Sequence, residues 1–243
     1  MLYSMSPSKV ESFRKFLDDS TGFFTEEKLI ADLTQPKVWT PKMEFGTAFH
    51  SILEQGIEPF LVRKEVRHQL DIDGVDMPII QRFTHEELMV TIKGVPEPMM
   101  LKVEDVKEAI RWRLEHPTAV FEVWNEHELH LPTGDTVKIN MRIDSLEGNY
   151  VHEFKTTDKP AKYVNYSNSA QWKLYALSTG AAKVRYTVFQ YFYNEVVERY
   201  SVIPQNFDML PYPNMEGDIK VLVAEFIHYC NLRGIQDCIL PRK

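Results

Sequence analysis

Cysteine is nearly absent from this chain. Its 243 residues hold two, Cys230 and Cys238, close together near the C-terminus. Two are too few for a disulfide framework or for a four-cysteine zinc or iron–sulfur site, and they suit a reducing compartment. Long apolar runs are missing as well. Nothing approaches the ~18 consecutive apolar residues of a membrane span, and the opening MLYSMSPSKVESF has no apolar stretch of signal-peptide length. The chain is therefore expected in the cytoplasm, with no membrane partner. There is no G-x-x-x-x-G-K-[ST] loop and no strand-linked G-x-G-x-x-G, so nothing points to a nucleotide cradle. No internal repeat or low-complexity segment is found. Positive charge is also short: the formal net charge is −7 and the isoelectric point about 5.7. That balance argues against a surface that coats nucleic acid broadly, while leaving room for a local basic groove. Clustered acids that hold cations would push the total in this direction.

What is present reads as an ordinary globular protein, 44% hydrophobic and 26% charged. The length suits one large domain, residues 1–243, able to bury a core without staples. Ser6 and Ser8 are N-cap candidates for a first helix. A second helix is expected over residues 47–54, stopped by Gly56. Residues 59–88 read as a strand-rich insertion, a hairpin turning at Asp73-Gly74. A helix over 103–116 stops before Pro117. A strand meander follows, then a helix in SNSAQWKLYALSTG, a long hairpin turning near Asn194-Glu195, and a closing helix over about 214–234. This order predicts an α/β fold, a mixed central β-sheet flanked by helices.

The stretch MRIDSLEGNYVHEFKTTDKP, residues 141–160, sets Asp144, Glu153 and Lys155 into otherwise half-apolar strands around a Glu147-Gly148-Asn149 turn. Residues two apart share a strand face, so Glu153 and Lys155 point together, while Tyr150, His152 and Phe154 point the other way. Hairpin pairing brings Asp144 towards Glu153. Two carboxylates this close repel unless a cation or a proton separates them. An oxygen-rich pair suits Mg²⁺ or Mn²⁺, and a neighbouring lysine suits a phosphate or a water. Taken alone, each piece also has a plain reading: an exposed Glu–Lys ion pair, a core histidine at His50, a core tyrosine at Tyr175.

Together and in this order, GTAFHSILE, RID, HEFKT and QWKLY resemble the PD-(D/E)XK nuclease superfamily, closest to the RecB-like branch with its RecE-type and phage exonucleases. SPSKVESF and IRWRLEHPTAVFEVWNEHEL resemble the segments that precede the motif there. The resemblance is traceable from about residue 6 to about residue 193. It implies a restriction-endonuclease-like core and a metal-dependent DNA exonuclease whose products carry a 5′ phosphate, in recombination or DNA processing. Asp144 and Glu153 would be the metal-binding acids, joined by the Phe154 carbonyl and by His50, and Lys155 the catalytic lysine. Gln171 and Tyr175 would support the site. The acid that the family carries on the preceding strand would be Glu126, with Glu128 as the alternative. One or two Mg²⁺ or Mn²⁺ ions are implied and, with so few cysteines, no iron–sulfur cluster.

DNA is the implied partner. Lys159, Lys162 and Lys173, followed by Lys183 and Arg185, are candidates for its backbone, and Tyr163 and Tyr166 for its bases. Arg63, Lys64, Arg67 and His68 form a second basic run. By analogy with phage exonucleases, the resemblance implies a trimer or tetramer, a single-strand annealing protein as partner, and a bacterial or phage-infected host cell. The alternatives are a structure-dependent endonuclease of the same fold and a non-catalytic DNA-binding module.

Overall fold

The computed structural model describes residues 1–36, 38–72 and 75–241, with side chains of all these except 63–86. The Asp73-Gly74 turn and the side chains of Arg63, Lys64, Arg67 and His68 lie outside the described residues. The main sheet is mixed. It contains β1 (Leu2–Met5), β5 (Val120–His130), β6 (Thr136–Glu147), β7 (Tyr150–Thr157), β8 (Lys183–Asn194) and β9 (Arg199–Met209), in the order β1-β6-β7-β8-β9 with β5 also on β6. β1–β6 and β7–β8 run parallel, and β5–β6, β6–β7 and β8–β9 antiparallel. A second sheet holds β2 (Leu61–Ile72), β3 (Val75–Val90) and β4 (Met99–Lys102).

Helices cover both faces of the main sheet. One core joins Val151, Val184, Tyr186 and Val188 to α1 (Pro7–Asp18), α2 (Glu26–Thr34), α6 (Ala170–Thr179) and α7 (Met215–Arg233). The other joins Phe154, Phe189 and Tyr191 to α3 (Pro41–Gln55), α4 (Lys107–Glu115) and the second sheet. A short α5 (Val164–Ser167) precedes α6. The split follows the period of two: in β8 the even positions 184, 186 and 188 fill one core and the odd positions 189 and 191 the other.

Strand β6 explains the shape of the sheet. Along one edge it pairs with β5 from Thr136 to Leu146. Along the other it pairs with β1 at Thr136–Ile139 and with β7 at Ser145–Glu147. Among the described residues, no strand pairs with 140–144 on that second edge, and a notch opens there. Helix α6 closes it: the Tyr175 hydroxyl donates to the Arg142 carbonyl at 3.3 Å, so this backbone acceptor is not left bare. The α6 N-terminus is in turn held by α1, where the buried Glu11 carboxylate accepts from Ser169 Oγ at 3.0 Å and Ala170 N at 2.8 Å. Burial works to raise the Glu11 pKa, but the hydrogen bonds and charge of Arg14 outweigh it and hold the acid below its usual range.

Helix α3 is longer than the expected 47–54. Thr40 caps it by accepting from Met43 N at 3.3 Å, and Pro41 opens it, so more than one further turn forms before Gly46. Gly46 is the point of closest approach to β7: a Cβ there would stand 2.7 Å from Thr156 Oγ1. His50 lies one turn on along the same helix face. Alanine at an open helical site gains about 1 kcal/mol over glycine, while overfilling a packed contact costs about 1–3 kcal/mol. Gly46→Ala is therefore expected to lower stability in the wild-type background. It should raise stability when Thr156→Ala has removed the hydroxyl. Chemical denaturation of the four members of this cycle checks the contact, and Gly46→Ala with the same sign in both backgrounds would dissolve it.

Candidate active site

Strand β7 places Glu153 in the core of the sheet, 1% exposed, on the face towards α6. Its Oε1 accepts from Lys155 Nζ at 2.5 Å and from Gln171 Nε2 at 2.9 Å. Gln171 also donates to the Tyr175 hydroxyl at 2.7 Å, as the spacing of four on one helix face allows. The second oxygen, Oε2, is buried with no partner. Asp144 sits at the mouth of the notch, where its Oδ2 accepts from Phe154 N at 2.8 Å. The Glu–Lys pair is therefore no surface ion pair, and Asp144, Glu153, Lys155, Gln171 and Tyr175 meet around one gap in the sheet.

His50 reaches this gap from the opposite face. Its ring stands edge-on to Phe154 at 6.1 Å. Burial pushes its pKa down, the Asp144 charge pulls it up less strongly, and it is neutral at ordinary pH. Among the described residues, the donor atoms of His50, Asp144 and Glu153 do not all come within 4.8 Å of one another. The topology accounts for this: His50 and Glu153 approach from different sides, and Asp144 is turned to a backbone N–H.

Several expected residues stand elsewhere. Glu126 pairs with Asn140 in the β5–β6 register, four residues short of Asp144, or about 13 Å along the strand. Glu126 and Glu128 are exposed and share Lys138, at 2.9 and 3.4 Å. The acid opposite Asp144 is Glu122, between the pairs Phe121↔Ser145 and Val123↔Ile143. Its backbone is left-handed at φ 57°, and its carboxylate contacts Arg142. Lys173 lies about 200° around α6 from both Gln171 and Tyr175. Its amine stands 5.6 Å from the Tyr212 ring, away from the notch. Lys183 and Arg185 are taken by Asp208, at 3.3 and 2.6 Å. Tyr166 stacks on Phe207 at 5.4 Å and packs on Tyr186, so its ring is not free for a base. Lys159 and Lys162 are exposed on the loop after β7, beside the exposed Tyr163. Glu54 is a further acid of the site, four residues after His50 on α3. Burial raises its pKa, against the charges of His50 and Arg142. Neither Glu54 nor Glu122 stood out in the sequence: the i, i+4 spacing from His50 could have found the first, while the second needed the strand register.

The electrostatics of this group are unbalanced. Burial first, and the Asp144 charge second, push Glu153 up to about 8 from an ordinary 4.5. Burial works to discharge Lys155, but the Glu153 and Asp144 carboxylates outweigh it and hold its pKa above the usual lysine range. Lys155 is thus a cation at any neutral pH, a donor and not a base. Oxygen donors, one of them an orphaned buried carboxylate oxygen, fit a hard divalent cation.

A carboxyl whose folded pKa lies above its unfolded one stabilises the folded state while protonated. That contribution is whole below about pH 4.5 and is lost as the pH climbs through about 8. The metal-free protein is therefore expected to lose thermal stability across this window. Glu153→Gln should flatten the loss, and Mg²⁺ should restore most stability at the upper end. An equal fall in Glu153→Gln would assign the effect to another group.

No family model matches this chain, and no curated protein matches it. Among solved structures it is similar to one described as "Crystal structure of SSO0001", with 17% identity and a TM-score of 0.38. The match covers 51% of this chain and 56% of that one, so the chain spans little more than half of its neighbour's length. A likeness at that level carries no argument about fold or function.

Proposed function

We propose that this chain is a metal-dependent deoxyribonuclease built on a restriction-endonuclease-like core, with exonuclease action on duplex DNA as the favoured mode. The observation that carries this reading is the meeting of Asp144, Glu153 and Lys155 at the notch, with the Glu153 Oε2 buried and unpartnered. Asp144, Glu153 and the Phe154 carbonyl would hold one or two Mg²⁺ or Mn²⁺ ions, with His50 completing the set from the α3 side. A bound divalent cation supplies positive charge to the phosphate oxygens and makes the attacking water more acidic.

The chain's own residues do the rest. Gln171 fixes the Glu153 rotamer by holding Oε1, which leaves Oε2 without a partner. Lys155, kept charged by its carboxylate neighbours, donates hydrogen bonds that orient the attacking water and stabilise the negative charge growing on the phosphate. Attack in line with the 3′ oxygen leaves a 5′ phosphate on the product. Exposed Lys159 and Lys162 flank the exit of β7 and would meet the DNA backbone.

The test is cleavage of end-labelled linear duplex DNA beside a covalently closed circle, with Mg²⁺, Mn²⁺ or EDTA. Wild type should degrade the linear duplex only, and only with metal. Lys155→Ala and Glu153→Ala should each lose about 10²–10³-fold in rate, with Lys155→Ala still binding DNA. Cutting of the circle would make the enzyme an endonuclease. Undiminished cleavage by either variant, or none by wild type with either metal, would remove the proposal.

A further inference from the structure

His152 and Phe154 occupy the face of β7 opposite Glu153, and around His152 a second group of donors gathers that the nuclease reading does not use. Antiparallel pairing sets Ser145 directly across from His152, and Glu147 two residues along β6 on the same face. His116, the residue that ends α4, comes in from above. Its Nδ1 lies 2.5 Å from Glu147 Oε2, and His152 Nε2 lies 3.7 Å from the same oxygen. Among the described residues, this is the one group of three histidine, cysteine or acidic side chains whose donor atoms all fall within 4.8 Å of one another.

Two further observations point to a ligand between them. His152 is 3% exposed, yet neither of its ring nitrogens has a hydrogen-bond partner, and the fully buried Ser145 Oγ across from it has none either. Buried polar atoms are rarely left in this state. Meanwhile the Glu147 carboxylate is already oriented. Thr118 Oγ1 donates to its Oε1 at 2.6 Å, so Oε2 is the oxygen turned to both imidazoles. Trp112 walls the group on one side, stacked on His116 at 4.2 Å and edge-on to His152 at 5.2 Å. The surroundings have the form of a metal's outer shell: a hydroxyl that fixes the carboxylate, and an aromatic that fixes a ring.

We propose that His116, Glu147 and His152 form a site for a late first-row divalent cation, Zn²⁺ by preference, with water from the open side as fourth ligand. Two imidazole nitrogens and one carboxylate oxygen are a zinc donor set, and magnesium, which prefers oxygen, has little claim on them. The side chains of His116 and Glu147 each keep 22% exposure, which gives the ion a way in. The ion fastens three segments: the end of α4, the chain entering β5 through Thr118, and the β6–β7 turn that carries Asp144 and Glu153 on its two arms. This site does not rest on the nuclease reading.

The full-length protein, stripped with EDTA and dialysed, would be titrated with Zn²⁺ and with Co²⁺. Bound metal, the visible spectrum of Co²⁺ and the thermal midpoint would be read, with Mg²⁺ in excess throughout. Wild type should bind one equivalent of Zn²⁺, show the intense bands of four-coordinate Co²⁺, and gain thermal stability. The double variant His50→Ala, Asp144→Asn, which disables the notch, should do the same. His116→Ala, at the exposed end of α4, should fold and lose the equivalent; His152→Phe should lose it as well. Thr118→Val should weaken binding about 10–100-fold. Absence of bound Zn²⁺ in wild type overturns the proposal. So does binding that survives His116→Ala, the mark of adventitious surface zinc, or that disappears only when the notch residues change.

Discussion

Strand β6 changes partners along one edge, and the Asp144 carboxylate stands where neither partner reaches. β1 holds the beginning of that edge and β7 its end. A free backbone amide inside a sheet costs about 1–3 kcal/mol unless something accepts from it. Asp144 accepts from Phe154 N, and Tyr175 donates to the Arg142 carbonyl, so side chains replace the missing rungs. The same two substitutions bring chemistry into the gap. An acid that serves as a rung is fixed in place, and the tyrosine that serves as the other rung brings Gln171 with it. The interruption of the ladder and the assembly of the site are one event. Changing Asp144 therefore touches the sheet as well as any ion.

The second constraint is charge. Glu153 lies in a layer covered on both faces by helices and apolar side chains. An ionised carboxylate there is expensive, and a second one at Asp144 makes it more so. Lys155 offsets part of this through one oxygen of Glu153 and leaves the other without a partner. A stable fold alone would be better served by an apolar side chain in that place. The arrangement makes sense if a cation visits the gap, because the charge that is unfavourable in the empty protein is what holds the ion.

The sequence made some of this legible and hid the rest, for reasons that can be located. Glu153 and Lys155 share a face by the period of two, and Gln171 and Tyr175 by the period of 3.6, so their meetings could be read directly. His50 was singled out by its motif, whereas Glu54, one helical turn further on, was not, although the same spacing of four carries it. The preceding acid could not be placed by pattern, because it depends on the register between β5 and β6; Glu126 and Glu128 alternate correctly but pair four and six residues short of Asp144, two and three repeats of the pleat away. Lys183 and Arg185 looked free in the sequence, since Asp208 lies more than twenty residues downstream on β9. Tyr166 looked available for the same reason, its partners Tyr186 and Phe207 being strands away. Local periodicity survives without tertiary knowledge; the neutralisation of a charge or a ring by a distant strand does not.

The His152–Glu153 step shows what a central strand adds to this economy of positions. Consecutive residues of β7 face opposite cores, so one peptide unit delivers an imidazole to one side and a carboxylate to the other. On the α6 side the available donors are oxygens and a lysine. On the α4 side they are two imidazoles, with a single carboxylate held by Thr118. Hard and borderline cations divide between such sets by donor type more than by cavity size. Oxygen-rich ground on one face and nitrogen-rich ground on the other would let two different ions occupy the same strand without competing. The first would take part in chemistry at the notch, and the second would hold still the turn from which both arms of that notch extend.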